Sequence, residues 1–188
     1  QRYGFELKEI FNPRSSYYWK TNDHARSMVD EYRIHRLTEI YHRLFSAFEG
    51  YRKQKEGFVL VVTAIDSYGS PEMRTNHGVD MEQILQLQKQ YKFVLIAEDP
   101  EPQWYTSPLR YREMGKMYKS LVTDSTAYGL DLNIGPFRTK DVVTPFPTSN
   151  QTGIESYWLV RIASQSAPSV VIYSESSVNP QDFRLFAN

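Results

Sequence analysis

Apolar and polar positions alternate between two kinds of pattern along this chain. Phe58–Asp66 reads FVLVVTAID, five consecutive apolar residues in a β-branched run that ends on a carboxylate. A strand with one wet face would alternate, so an unbroken run predicts burial on both faces, the habit of a parallel sheet covered by helices. The pattern returns at Tyr91–Asp99 (YKFVLIAED) and Ser169–Glu175 (SVVIYSE), and in weaker form at Ala127–Ile134 (AYGLDLNI), where Gly129 interrupts it. Tyr3–Phe11 alternates loosely and is expected to be a further strand, closed by Asn12-Pro13.

Between these runs the period changes to three and four residues. Leu37, Ile40, Tyr41, Leu44, Phe45 and Phe48 define a long helix, capped at Thr21, Asn22 or Asp23 and ended by Gly50 or Gly57. Met81, Ile84, Leu85 and Gln88 mark a second helix near Asp80–Gln90. Tyr111, Met114, Met117, Tyr118 and Leu121 mark a third, opened by Ser107-Pro108. Ile154, Tyr157, Trp158 and Ile162 mark a fourth, stopped by Pro168. The expected order is β-α-β-α-β-α-β-α-β, an α/β fold with a parallel sheet. It fits either an open doubly wound sheet or a parallel (β/α) barrel or barrel portion. The absence of G-x-G-x-x-G and of a Walker A motif turns the reading away from a Rossmann-type sheet. The chain opens at Gln1 and closes on a helix just begun (NPQDFRLFAN), so residues 1–188 are expected to form one α/β domain, a segment of a longer barrel protein.

Composition narrows the function. Lys plus Arg number 22 and Asp plus Glu number 22, a net charge of zero, with no basic excess to neutralise nucleic-acid phosphates. No apolar run approaches the roughly 20 residues of a membrane-spanning helix. With no cysteine, disulfides, thiolate metal sites and cysteine nucleophiles are excluded. His24, His35, His42 and His77 lack a metal-binding spacing such as H-E-x-x-H, so no metal ligands are assigned. Ser67, Ser174 and Ser176 follow strands without a G-x-S-x-G elbow.

Acids at strand ends remain: Asp66, Glu98 with Asp99, Asp131 and Glu175. On the common rim of a parallel barrel they would converge. Two carboxylates, one protonated and one ionised, are the requirement of glycoside hydrolysis. Crowded anions raise the pKa of at least one of their number. Aromatic residues are 14% of the chain and many lie in the strand-to-helix loops, among them Trp19, Tyr68, Trp104, Tyr105, Phe137 and Phe146. Their flat faces suit the C–H face of a sugar.

Strands that end in acids and feed aromatic loops resemble the C-terminal part of a (β/α)8 TIM-barrel glycoside hydrolase. The resemblance is one of architecture, and the Asn-Glu strand end common in such enzymes is missing. It implies a carbohydrate substrate, acid–base chemistry without a cofactor, and the remainder of the barrel supplied by the same or another chain. If the substrate is a polysaccharide, an extracytoplasmic location follows. Glu98, delivered by the most apolar strand (LIAE), is the expected proton donor, and Asp66 or Asp131, from the flanking strands, the ionised partner. Glu175, Trp104, Tyr105, Tyr68 and Trp19 would bind substrate. The competing readings are a noncatalytic glycan-binding or assembly module on a degenerate barrel, and a metal-dependent hydrolase.

Overall fold

The computed structural model describes residues 4–100, 104, 107–134, 151–173 and 180–185. Four strands, β1 (Val61–Ile65), β2 (Val94–Glu98), β3 (Tyr128–Asn133) and β4 (Ser169–Tyr173), form one sheet in the order β1-β2-β3-β4. All three pairings are parallel. Helices alternate with them: α1 (Asp23–Gln54) precedes β1, α2 (Glu72–His77) and α3 (Met81–Tyr91) link β1 to β2, α4 (Arg110–Leu121) links β2 to β3, and α5 (Gly153–Ser164) links β3 to β4.

The α/β class and the parallel alternation match the sequence pattern. The N-terminal strand does not: Leu7–Phe11 is a 3-10 helix that buries only Ile10. Loose alternation over a few residues cannot distinguish a strand from a short helical turn when a Pro ends it. The described residues hold four strands rather than five.

One face of the sheet carries the core. Val62, Ala64, Leu95, Ala97, Tyr128, Leu130 and Leu132 pack with Phe45 of α1, Ile84 and Leu85 of α3, Tyr111 and Tyr118 of α4, and Leu159 and Ile162 of α5. The opposite face carries Val61, Thr63, Ile65, Ile96, Glu98, Gly129, Asp131, Asn133, Val171 and Tyr173, because side chains alternate along each strand. Val61 is 54% exposed and Tyr173 63%. The unbroken apolar run therefore overstated the cover on β1, whose residues alternate between exposed and buried. Gly129 sits where a Cβ would lie 2.6 Å from Ile96 Cδ1 and 2.7 Å from the Ser169 carbonyl. The glycine that weakens the strand signal is the residue that lets Ile96 fold across the sheet.

Local chemistry fixes the helix ends. Asn22 caps α1 by accepting from the Ala25 N–H at 2.8 Å, and α1 then runs through Gly50 for 32 residues, about 48 Å. Ala25, Ile34 and Phe45 are its buried positions, while Ile40 and Leu44 of the expected stripe turn outward. Arg52 at its far end donates to the Tyr91 and Lys92 carbonyls at the end of α3. Near its start, Glu31 pairs with Arg74 of α2 at 2.7 Å, and Arg74 also holds Asp80, the cap of α3. So α1 lies antiparallel to the strands, with its N-terminus at their C-terminal end.

On α5 the expected stripe is met in part: Ile162 faces the core, whereas Ile154 and Trp158 turn away from it. Glu155, Ser156, Leu159, Ile162 and Ala163 are buried, and Ile154 and Trp158 are exposed. A capping box between Thr152 and Glu155 sets this phase, since Glu155 must reach back to the helix start. Gly115, inside α4, lies so close to the Ser166 carbonyl that any Cβ would overlap it, which sets the approach of α4 to the end of α5.

Candidate functional site: strand-end carboxylates

Register decides which of the acids meet. Ile65, Glu98, Asp131 and Val171 are Cα partners on successive strands, one rung of the sheet. Glu98 and Asp131 therefore project side by side from the face opposite the helices described above. Glu98 is half-buried, and Asp131 is buried at 6% exposure. Among the described residues Asp131 Oδ1 has no hydrogen-bond partner. Burial, reinforced by the negative charges of Glu98 and Asp99, pushes its carboxyl up to about 6. Two residues on along the same face, Asn133 is buried and donates its Nδ2 to the Asp99 carbonyl at 3.1 Å.

Asp66 and Asp99 each follow the rung by one residue and so turn to the helix side. Asp66 Oδ1 accepts from the N–H groups of Tyr68 (3.0 Å) and Gly69 (2.9 Å), which shapes the loop after β1, and from the Tyr118 hydroxyl at 2.6 Å. Asp99 is fully buried. Its Oδ2 accepts from Arg110 Nε (2.9 Å), Arg110 Nη2 (2.7 Å) and the Tyr111 hydroxyl (2.8 Å), while Oδ1 has no partner among the described residues. Burial raises the Asp99 pKa and outweighs the lowering effect of Arg110. The Tyr111 and Tyr118 phenols are held well above their ordinary value, first by burial and next by the adjacent aspartates. Each aspartate thus ties a strand end to α4.

The aromatic candidates sit at the same end of the molecule. Trp104 is half-buried and donates its indole N–H to the Asp99 carbonyl at 2.7 Å. Tyr68 is 41% exposed. Trp19 is 40% exposed in the loop before α1, where its carbonyl accepts from Arg26 Nε. That end of α1 adjoins α2 and hence the strand C-termini. Glu175, Tyr105, Phe137 and Phe146 lie outside the described residues.

Of the acids expected to converge, Glu98 and Asp131 share a rung while Asp66 lies on the other face, and Arg110, Tyr111, Tyr118 and Asn133 were not singled out as site residues. The D-x-N spacing of Asp131 and Asn133 was a usable sign, since residues two apart share a strand face. Nothing in spacing announces that Arg110 reaches back to Asp99. His35 pairs with Glu39 at 3.3 Å and His42 meets the Tyr91 hydroxyl at 3.2 Å, both within the helix layer. Among the described residues no group of three or more His, Asp or Glu side chains could hold a metal ion. No helix among them is long and apolar enough to cross a membrane.

No protein-family model, curated protein or solved structure matches the chain. The function must therefore be argued from the rung itself.

Proposed function

We propose that the chain is an arc of a (β/α) barrel whose Glu98–Asp131 pair hydrolyses glycosidic bonds. The observation that carries this reading is the shared rung, which sets a buried carboxyl of raised pKa beside a second carboxyl that is partly solvated. Unequal environments give paired acids separate roles. Consecutive strand order with helices on one face is also the arrangement of a barrel wall, whose inner face the remainder of the barrel would cover.

Roles follow from the protonation of the pair, and they reverse the sequence expectation. Asp131 keeps its proton towards neutral pH and delivers it to the departing glycosidic oxygen. Glu98, whose charge helps hold that proton on Asp131, attacks the anomeric carbon. Neighbouring strands lie about 4.8 Å apart, so carboxyls on one rung approach the roughly 5 Å spacing of a retaining pair. Asp131, deprotonated by the first step, then takes a proton from the water that releases the sugar. Trp104, Tyr68 and Trp19 offer ring faces to the substrate. Asp66 positions the loop that carries Tyr68.

The test is a panel of 2-deoxy-2-fluoro glycosides with intact-mass detection. A covalent adduct mapped to Glu98, absent in Glu98→Gln and slowed at least a thousandfold in Asp131→Asn, is the expected result. Turnover of a glycoside unchanged in both variants overturns the proposal. Glycan binding by the unaltered protein with no turnover of any glycoside identifies a binding module instead.

A further inference from the structure

A cleft of about 340 Å³ opens on the helix side of the sheet, between the loop after β1, the end of β2 and α4. It stands apart from the Glu98–Asp131 rung, and nothing about it depends on that pair being catalytic. Its floor holds Asp66 and the fully buried Asp99, whose Oδ1 lacks any partner among the described residues. A buried carboxylate oxygen left without a donor is unfavourable, so the site favours an occupant that donates. Charge selects the kind of donor. The walls carry Asp66, Asp99 and Glu113 against Arg110 alone, and Arg110 is already engaged on Asp99 Oδ2. Lys116 pairs with Glu113 at 2.9 Å, so Asp66 is the carboxylate of the lining left without an ion-pair partner among the described residues, which favours a cation over a neutral hydroxyl.

Shape selects the rest. Met114 and Met117 form an apolar wall from α4, a poor neighbour for a hard metal ion that needs six or more oxygens. Thioether side chains adapt to small alkyl groups. Gly69 keeps the cleft open: a Cβ there would lie 2.5 Å from Asp66 Oδ2 and 3.5 Å from Met117 Cε. Gly69 has no left-handed backbone requirement, so the space, rather than the turn, explains a glycine at this position. We propose that this cleft binds a small alkylamine, its ammonium between Asp66 and Asp99 Oδ1 and its alkyl chain along Met114 and Met117.

The experiment uses the five methionine methyl groups as reporters, labelled with carbon-13: Met28, Met73, Met81, Met114 and Met117. Titration with n-butylammonium chloride is expected to shift the Met114 and Met117 signals saturably and leave the other three in place. n-Butanol, of the same shape without the charge, should bind at least tenfold more weakly. Gly69→Ala sets a methyl against Asp66 Oδ2 and Met117 Cε and should weaken n-butylammonium binding at least tenfold, with the Met73 and Met81 signals unchanged. Absence of a saturable shift, equal binding of n-butanol, or full binding by a folded Gly69→Ala protein each overturn the proposal.

Discussion

Replacing Asp131 by Asn should stabilise the protein near neutral pH and do nothing to it in acid. In the folded chain the Asp131 carboxyl titrates at about 6, against an ordinary aspartate value of 3.8. That is about two pH units, and each is worth 1.36 kcal/mol, so the shift amounts to about 3 kcal/mol if all of it is expressed as stability. The sign follows from proton counting. Below about pH 4 the folded and unfolded chains both hold the proton and the residue contributes no penalty. Between pH 4 and pH 6 the unfolded chain releases a proton that the folded chain keeps, so stability falls as the pH rises. Above pH 6 the full penalty of an ionised, buried carboxylate with an unpartnered oxygen is in place. Urea denaturation of both proteins from pH 4 to pH 8 reads the difference directly. The variant should gain up to about 3 kcal/mol over this range, most of it before pH 6.5. Any constant effect of the amide moves the whole curve and leaves its slope untouched. A difference that stays flat with pH, or one that rises towards acid, refutes the reasoning.

Three further outcomes are expected. Glu98→Gln removes one of the charges that hold the proton on Asp131, so the Asp131 carboxyl should titrate lower, as read from its carbon-13 shift; an unmoved midpoint contradicts the pairing. Arg110→Met leaves Asp99 buried without its counter-charge and should cost about 3–5 kcal/mol in urea denaturation, with Asp99→Asn in the same chain restoring part of the loss. Gly129→Ala drives a methyl into Ile96 and the Ser169 carbonyl and should cost about 1–3 kcal/mol, lowering the thermal midpoint; unchanged stability would mean that β3 and β4 shift apart freely.

Much of this architecture was legible in the residues. The period-2 and apolar runs at Val61–Ile65, Val94–Glu98 and Ser169–Tyr173 each became strands because β-branched residues bounded by turn formers have few alternatives. What stayed hidden was phase. Ile154 and Trp158 look like core positions on a helical wheel, yet the Thr152–Glu155 box rotates α5 and exposes them. A cap that satisfies buried backbone groups outweighs the preference of two apolar side chains. The candidate site shows the same division. Acids at strand ends were visible, whereas the one-residue offset that sends Asp66 and Asp99 to the helices, and Glu98 and Asp131 to the other side, exists only once the strands are in register.

The rung that joins Glu98 to Asp131 also guards the fold against misalignment. If β3 slipped by a single position past β2, Leu130 and Leu132 would both turn away from the helices and Asp131 would enter the hydrocarbon layer that now holds Leu95, Ala97 and Tyr118. Arg110, the cation nearest that layer among those described above, is committed to Asp99, so a lone carboxylate there would go unpaired among the described residues. The same charge that burdens the native sheet above pH 6 makes every neighbouring alignment worse, and in this way the candidate acid helps specify the frame in which it can act.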